Sequence, residues 1–179
     1  MTPFDSELTR QVTSRIRDVP DFPKPGIVFK DLTPVLADGA IFSAMMRAFA
    51  ARYRSMSPTT IVAIEARGFV VGAPIAAELG VGITLLRKPG KLPWNTVRQA
   101  YDLEYGTDAL EMHEDAIAPG TRAIIVDDLL ATGGTMRAAI DLIRARGAQV
   151  LETGFIVELG FLGGRSRLDG VPAASVVRF

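Results

Sequence analysis

Asp127 and Asp128 stand directly after the branched apolar run Ile124-Ile125-Val126 and ahead of Leu129-Leu130-Ala131-Thr132-Gly133-Gly134-Thr135. The apolar run reads as a strand buried on both faces. The Thr-Gly-Gly-Thr turn opens an apolar-periodic helix through Met136, Ala139, Ile140 and Ile143. A helix amino terminus behind a glycine turn presents unpaired N–H groups and the positive end of the helix dipole, and both favour a phosphate. The two carboxylates cannot hold that phosphate, because like charges repel. They suit ribose hydroxyls and a hydrated Mg²⁺, which need acceptors. Groups for a sugar, its phosphate and a metal in one short segment point to a phosphoribosyl ligand. No Gly-Lys-Ser/Thr ending follows, so a Walker loop does not fit. The acids also precede the glycines, whereas the dinucleotide fingerprint places its acid about 20 residues later.

Two further groups of residues suit an anionic ligand. Glu65-Ala66-Arg67-Gly68 follows the short apolar run Ile61–Ile64, and Arg67 carries the planar donor fork that fits a diphosphate. Arg87, Lys88 and Lys91 cluster around Pro89-Gly90 after another apolar run, as a pyrophosphate clamp would. The chain has four lysines among its twenty basic residues, which leaves sixteen arginines. All four lysines (Lys24, Lys30, Lys88, Lys91) fall in two short blocks, and a lysine kept in so arginine-rich a chain suggests a task a guanidinium does not do. The single histidine, His113, has acidic neighbours, reads as a solvated residue and is given no catalytic role.

The elements that must position these residues follow from periodicity. Residues 5–17 suit a first helix and 41–54 a second. Residues 61–64 form a strand, 69–79 a helix ended by Gly80, and 81–86 the next strand. The proline-rich stretch 20–34 cannot be regular helix and reads as an extended, stiffened loop. Residues 87–106 read as a long polar loop, which in a compact domain is usually functional. Strands at 123–126, 150–158 and 174–177 and a helix at 135–146 complete an α/β alternation. Such a pattern implies a parallel sheet covered on both faces, with ligands beyond the carboxyl ends of the strands. The groups after Ile64, Leu86 and Val126 would all meet there.

At 179 residues the chain is expected to form one domain, 1–179. Twenty acidic residues balance the twenty basic ones, which gives no electrostatic footprint for nucleic acid or an anionic membrane. The absence of cysteine excludes disulfides, thiolate zinc sites and a cysteine nucleophile. No run approaches the roughly 20 apolar residues of a membrane span and the amino terminus lacks an apolar signal core, so a cytoplasmic location is expected.

Val126 to Thr135 resembles the phosphoribosyl-pyrophosphate (PRPP) binding motif of type I phosphoribosyltransferases. Its Asp-Asp-Leu-Leu-Ala-Thr-Gly-Gly-Thr form is similar to that of the adenine phosphoribosyltransferases. Three more blocks agree in order and spacing: Pro20–Pro34 (PDFPKPGIVFKDLTP), Ile64–Phe69 (IEARGF) and Arg87–Gly106 (RKPGKLPWNTVRQAYDLEYG). The resemblance runs from about the first helix to the last strand.

It implies the type I phosphoribosyltransferase fold: a central, mostly parallel sheet flanked by helices, a small amino-terminal base-binding hood at about 1–34 and a flexible loop at about 87–106. The implied reaction joins adenine to PRPP, giving AMP and pyrophosphate, with Mg²⁺ held through PRPP and waters and through Asp127 and Asp128 directly or not at all. Ala131, Thr132, Gly133, Gly134 and Thr135 would hold the 5′-phosphate, and Asp127 and Asp128 the ribose. Glu65, Ala66, Arg67, Arg87, Lys88 and Lys91 would hold pyrophosphate, with a cis peptide between Glu65 and Ala66. Arg67, Lys88 and Lys91 would act in catalysis with Glu104, the acid/base at the purine nitrogens. Phe29 would stack on adenine, and the backbones of Val28 and Lys30 would read its edge. Trp94-Asn95 departs from the small or polar residues expected at the loop tip. A homodimer is implied, in which loop cations approach the neighbouring site. Transfer to another base remains the alternative within the family, because relatives share the ribose-phosphate motif. A PRPP-sensing regulator of nucleic acid would need a basic patch or an appended DNA-binding domain, and the chain shows neither.

Overall fold

In a computed structural model of the chain, which describes residues 4–102 and 107–179, the amino-terminal helix α1 (Ser6–Arg15) begins at Asp5. The Asp5 carboxylate accepts from the Glu7 N–H, satisfying one of the free donors of the first turn. An antiparallel hairpin follows, β1 (Arg17–Pro20) and β2 (Val28–Asp31), paired Arg17 to Asp31 through Pro20 to Val28. This corrects the expectation of an extended, stiffened loop over 20–34, since Pro20 and Val28–Asp31 of that stretch are paired in strands. The prolines occupy places where no ladder N–H is needed: Pro20 at a strand end, Pro23 and Pro25 in the turn, and Pro34 in the first turn of α2 (Thr33–Ala37). The Asp21 carboxylate closes the turn by accepting from the Gly26 N–H at 2.8 Å.

Helix α3 (Gly39–Arg54), strand β3 (Thr60–Ile64), helix α4 (Arg67–Leu79) and strand β4 (Gly82–Leu86) lie close to where the periodicity put them. Gly80 ends α4 in the left-handed region, at φ 70°. Residues 96–102, read from sequence as part of a loop, instead form β5 (Thr96–Asp102), which pairs antiparallel with β6 (Thr107–His113). Period-two burial carries this hairpin: Leu110 and Met112 are fully buried, and Val97 and Tyr101 pack on the same core. Strand β7 (Arg122–Leu130), helix α5 (Gly134–Arg144) and strands β8 (Gln149–Glu158) and β9 (Ala173–Arg178) finish the chain, with two short 3-10 turns at 160–162 and 164–167 between β8 and β9.

Five strands form one parallel sheet in the order β4-β3-β7-β8-β9. Alternating side chains divide the core between its faces. Ile61, Ala63, Ile124 and Val126 pack with Val12, Met45, Phe49, Val71 and Ile75 of α1, α3 and α4. Val62, Ile64 and Ile125 pack with Met136, Ile140 and Ile143 of α5 and with Leu110 and Met112. Because β3 pairs with both β4 and β7, in registers matching Ile64 to Leu86 and Ala63 to Val126, the segments that follow all three open at one edge of the sheet. No helix among the described residues is long and apolar enough to cross a membrane.

Candidate active site

The Ala131–Thr135 turn joins the end of β7 to α5 around a small cavity of about 90 Å³, lined by Leu129 to Met136 together with Asp127 and Phe155. No side chain caps α5, so its first N–H groups are left for an incoming acceptor. Gly133 sits at φ 83°, and a Cβ there would collide with the Gly164 carbonyl oxygen; a Cβ on Gly164 would in turn strike the Ala131 carbonyl. Two glycine backbones from distant parts of the chain thus fix the shape of the turn. Thr132 is half-buried along the wall, and the Thr135 hydroxyl donates to the Tyr101 hydroxyl at 3.3 Å.

A larger cavity of about 410 Å³ adjoins the first, sharing Asp127, Leu129 and Thr135, and is closed by Ile64–Arg67, Lys88 and Asp128. The two acids lie within β7 rather than beyond it, since the strand runs on to Leu130. The Asp128 N–H donates to Asp127 Oδ1 at 2.8 Å, and the Arg67 guanidinium pairs with the Asp128 carboxylate. Burial, followed by the adjacent Asp128 charge, pushes the Asp127 carboxyl well above the usual aspartate range. Gly68 makes this arrangement possible: a Cβ there would lie 3.1 Å from Asp127 Oδ1 and 3.0 Å from the Val126 carbonyl oxygen. The Glu65–Ala66 peptide is cis, and both residues face the cavity.

Two of the cations beyond β4, Arg87 and Lys88, are paired with acids. Arg87 Nε donates to Glu65 at 2.8 Å and Arg87 Nη1 to the Lys91 carbonyl at 3.0 Å. Lys88, at the rim of the large cavity, donates to the Tyr101 hydroxyl at 2.7 Å and to the Asp108 carboxylate. Burial alone would lower the Lys88 pKa, but its bonds to Asp108 and Tyr101 outweigh it and raise the pKa; the same Lys88 bond holds Asp108 below its usual value. Lys91 is exposed on the turn and lines neither cavity. Glu104 lies outside the described residues. Trp94 is exposed.

A third, open pocket of about 220 Å³ lies on the amino-terminal hairpin, between Val19, Phe22, Phe29 and Asp31. Phe22 and Phe29 meet edge to face, with ring centres 5.2 Å apart. Val28 is exposed, and among the described residues β2 pairs only with β1. The Lys30 ammonium is held by Asp18 at 2.7 Å and lies 4.2 Å from the centre of the Phe179 ring, leaving the backbone of β2 as the part of Lys30 available to a ligand.

Gly164 and Asp108 escaped the sequence reading, and Gly68 and Tyr101 stood within its blocks without a role of their own. The Gly163-Gly164 pair after a strand is the one available signal, since adjacent glycines often mark close backbone approach. His113, expected to be solvated, is half-buried with an Nε2 that has no hydrogen-bond partner. Among the described residues no group of three or more His, Asp or Glu side chains is placed to cage a metal.

The model of the phosphoribosyl transferase domain matches residues 32–167. An adenine phosphoribosyltransferase of Roseiflexus sp. (strain RS-1) is 51% identical over 172 residues, which cover 96% of this chain and all of that one. Among solved structures, the adenine phosphoribosyltransferase of Thermoanaerobacter pseudethanolicus superposes with a TM-score of 0.92 at 48% identity, covering 96% of this chain and 99% of that one. The Saccharomyces cerevisiae enzyme, crystallised with an imino-altritol bisphosphate and adenine, gives a TM-score of 0.92 at 36% identity, covering 96% and 99% of the two chains. With the acids, the glycine turn and the cationic arm gathered at one edge of a parallel sheet, and with relatives this similar over nearly its whole length, the chain belongs to the phosphoribosyltransferase family, among the adenine phosphoribosyltransferases.

Proposed function

We propose that the chain transfers the 5-phosphoribosyl group of PRPP to adenine, releasing AMP and pyrophosphate. The observation that carries this reading is the pair of adjoining cavities: a small cradle of uncapped N–H groups and a larger chamber, with Asp127 and Thr135 common to both. The spacing suits a phosphate joined through a sugar to a second anionic group. In the reaction the ribose C1–O bond to pyrophosphate breaks and a bond from purine N9 to C1 forms, while the N9 proton leaves. Positive charge develops on the ribose and negative charge on the departing pyrophosphate, and preorganised charges help most where charge develops.

Ala131, Thr132, Gly133, Gly134 and Thr135 hold the 5′-phosphate through N–H and hydroxyl donors. Asp127 and Asp128 take the ribose hydroxyls. Arg67 and Lys88 face the leaving group across the chamber with the Glu65–Ala66 backbone; Arg87 and Lys91 reach it only after rearranging, since one is bound to Glu65 and the other is exposed. Glu104 accepts the purine proton. Phe29 covers the base, and the unpaired edge of β2 at Val28 and Lys30 offers backbone donors and acceptors to the adenine edge, a strand-edge mode of recognition. The S. cerevisiae relative was crystallised with adenine, which supports this base.

The donor set fits Mg²⁺ held chiefly by the ligand's own oxygens and waters, the usual arrangement for this ion, with Asp127 and Asp128 as the nearest protein oxygens. Bound there, Mg²⁺ supplies charge neutralisation for pyrophosphate. The protein acts as a homodimer. Strand β4 is a sheet edge with Ile83 and Leu85 exposed, and Val70 of α4 is exposed as well, an apolar surface suited to two-fold pairing. An active monomer at every concentration would contradict the pairing. Incubation with PRPP, adenine and Mg²⁺ should yield AMP and pyrophosphate in equal amounts, and absence of product would overturn the function.

A further inference from the structure

We infer that Tyr101 is a positioning residue that ties the pyrophosphate end of the site to the 5′-phosphate end. Its hydroxyl lies between the two. It accepts from Lys88 Nζ at 2.7 Å and from Thr135 Oγ1 at 3.3 Å, and its own proton goes to Asp108 at 3.2 Å. Lys88 borders the large cavity, and Thr135 borders both cavities. No other described side chain is hydrogen-bonded to both.

The chemistry of the ammonium decides what this contact does. A lysine has three donors and no acceptor. In Lys88 the Tyr101 hydroxyl takes one and the Asp108 carboxylate another, while the side chain remains at the cavity rim. The third proton is left for an anionic oxygen. A lysine side chain that roamed free would have to lose rotamer freedom on binding such an anion; here that ordering is done before the ligand arrives. Asp108 would by itself repel pyrophosphate, so its place in the network requires a function other than attracting the anion. Holding the ammonium against Tyr101, at a fixed distance from Thr135, is that function. The hairpin β5–β6 supplies both anchors, with Tyr101 paired opposite Asp108 in its register, and β6 is itself joined to the chain at Arg87 by two backbone hydrogen bonds to Glu111. Lys88 is thereby held between two points of one ribbon.

The alternative role for the same contacts is a parking place that withholds Lys88 until PRPP displaces it. The two roles predict opposite signs for one conservative change, Tyr101→Phe, which removes the hub hydroxyl without altering charge. Under positioning, the KM for PRPP and the Kd for pyrophosphate both rise by about tenfold, the usual worth of a hydrogen bond to a charged group, while the KM for adenine stays within about twofold. Under parking, pyrophosphate binds tighter, and that result overturns the inference.

The inference rests on Lys88 facing pyrophosphate, so Lys88→Met is measured alongside. If Lys88→Met weakens pyrophosphate binding and Tyr101→Phe adds nothing further in the double variant, Tyr101 acts through Lys88 as inferred. If the two losses simply add, or if Tyr101→Phe is silent while Lys88→Met is not, the positioning role fails and the proposed function stands. If Lys88→Met itself leaves pyrophosphate binding unchanged, the placement of pyrophosphate fails, and the inference goes with it.

Discussion

The two regions proposed to bind anions are built on opposite plans. The Ala131–Thr135 cradle uses backbone donors at the junction of a buried strand and a buried-face helix, carries no formal charge, and is held in shape by the Gly133–Gly164 contact. The arm after β4 uses charged side chains, two of them matched with carboxylates: Arg87 with Glu65 and Lys88 with Asp108, as is Arg67 with Asp128 nearby. A dipolar cradle needs no counter-ion and can be rigid beforehand. A cluster of cations needs partners to remain ordered, so an anion bound there would share cations that already have carboxylate partners. In the proposed reaction the 5′-phosphate, which is unchanged, would meet the dipolar plan, and the pyrophosphate, whose charge changes, would meet the cationic one.

The largest expected break in this comparison lies on the arm. Glu104→Gln keeps size and hydrogen-bonding reach but removes the ionisable group, and kcat should fall by roughly 10²–10⁴-fold, the worth of general acid–base catalysis. The KM for PRPP should hold, because the cradle is built elsewhere. A near-normal kcat at saturating adenine would remove Glu104 from the mechanism.

A change far from the arm tests the rigid plan. Gly164→Ala forces a methyl group into the Ala131 carbonyl and displaces the cradle. A displacement on the order of 1 Å can cost about 100-fold, so the KM for PRPP should rise on that scale while the KM for adenine holds. Unchanged PRPP kinetics would mean that the cradle adapts and the contrast with the arm is false.

The smallest effect is one of stability. Asp127 has a folded-state pKa raised above its unfolded value, so its contribution to stability is full below about pH 3.8 and is lost as pH rises through the raised value. Above that, the ionised form is a cost. Asp127→Asn should therefore melt higher than the parent at pH 8, by roughly 2–4 °C if the cost is about 1 kcal/mol, and the gap should close at acid pH. The same variant should use PRPP less well, having lost a ribose acceptor. A lower melting temperature at pH 8 would contradict the buried-charge account.

The cradle was legible from sequence because its determinants are local: branched apolar residues, two acids and a glycine turn within twelve positions. The sheet strands and helices around it were legible from period-two and helical apolar spacing. The hairpin β5–β6 was not, because Arg98 and Gln99 between Val97 and Tyr101 hide an alternation that only pairing with Leu110 and Met112 reveals. The amino-terminal hairpin was hidden by prolines that fall at its ends and in its turn. Gly164 and Asp108 were missed for a simpler reason: their importance lies in contacts with Ala131, Gly133 and Lys88, which are far away in sequence.

The most direct test of the account compares bases at the hairpin site. With PRPP and Mg²⁺ held saturating, kcat/KM is measured for adenine, hypoxanthine, guanine and xanthine side by side. If the edge of β2 pairs with the adenine amino group, a carbonyl in its place leaves a buried acceptor unpaired, and a mismatch of that kind can reject an analogue by roughly 10⁴-fold. The account predicts adenine favoured on that scale; comparable turnover of hypoxanthine would contradict it.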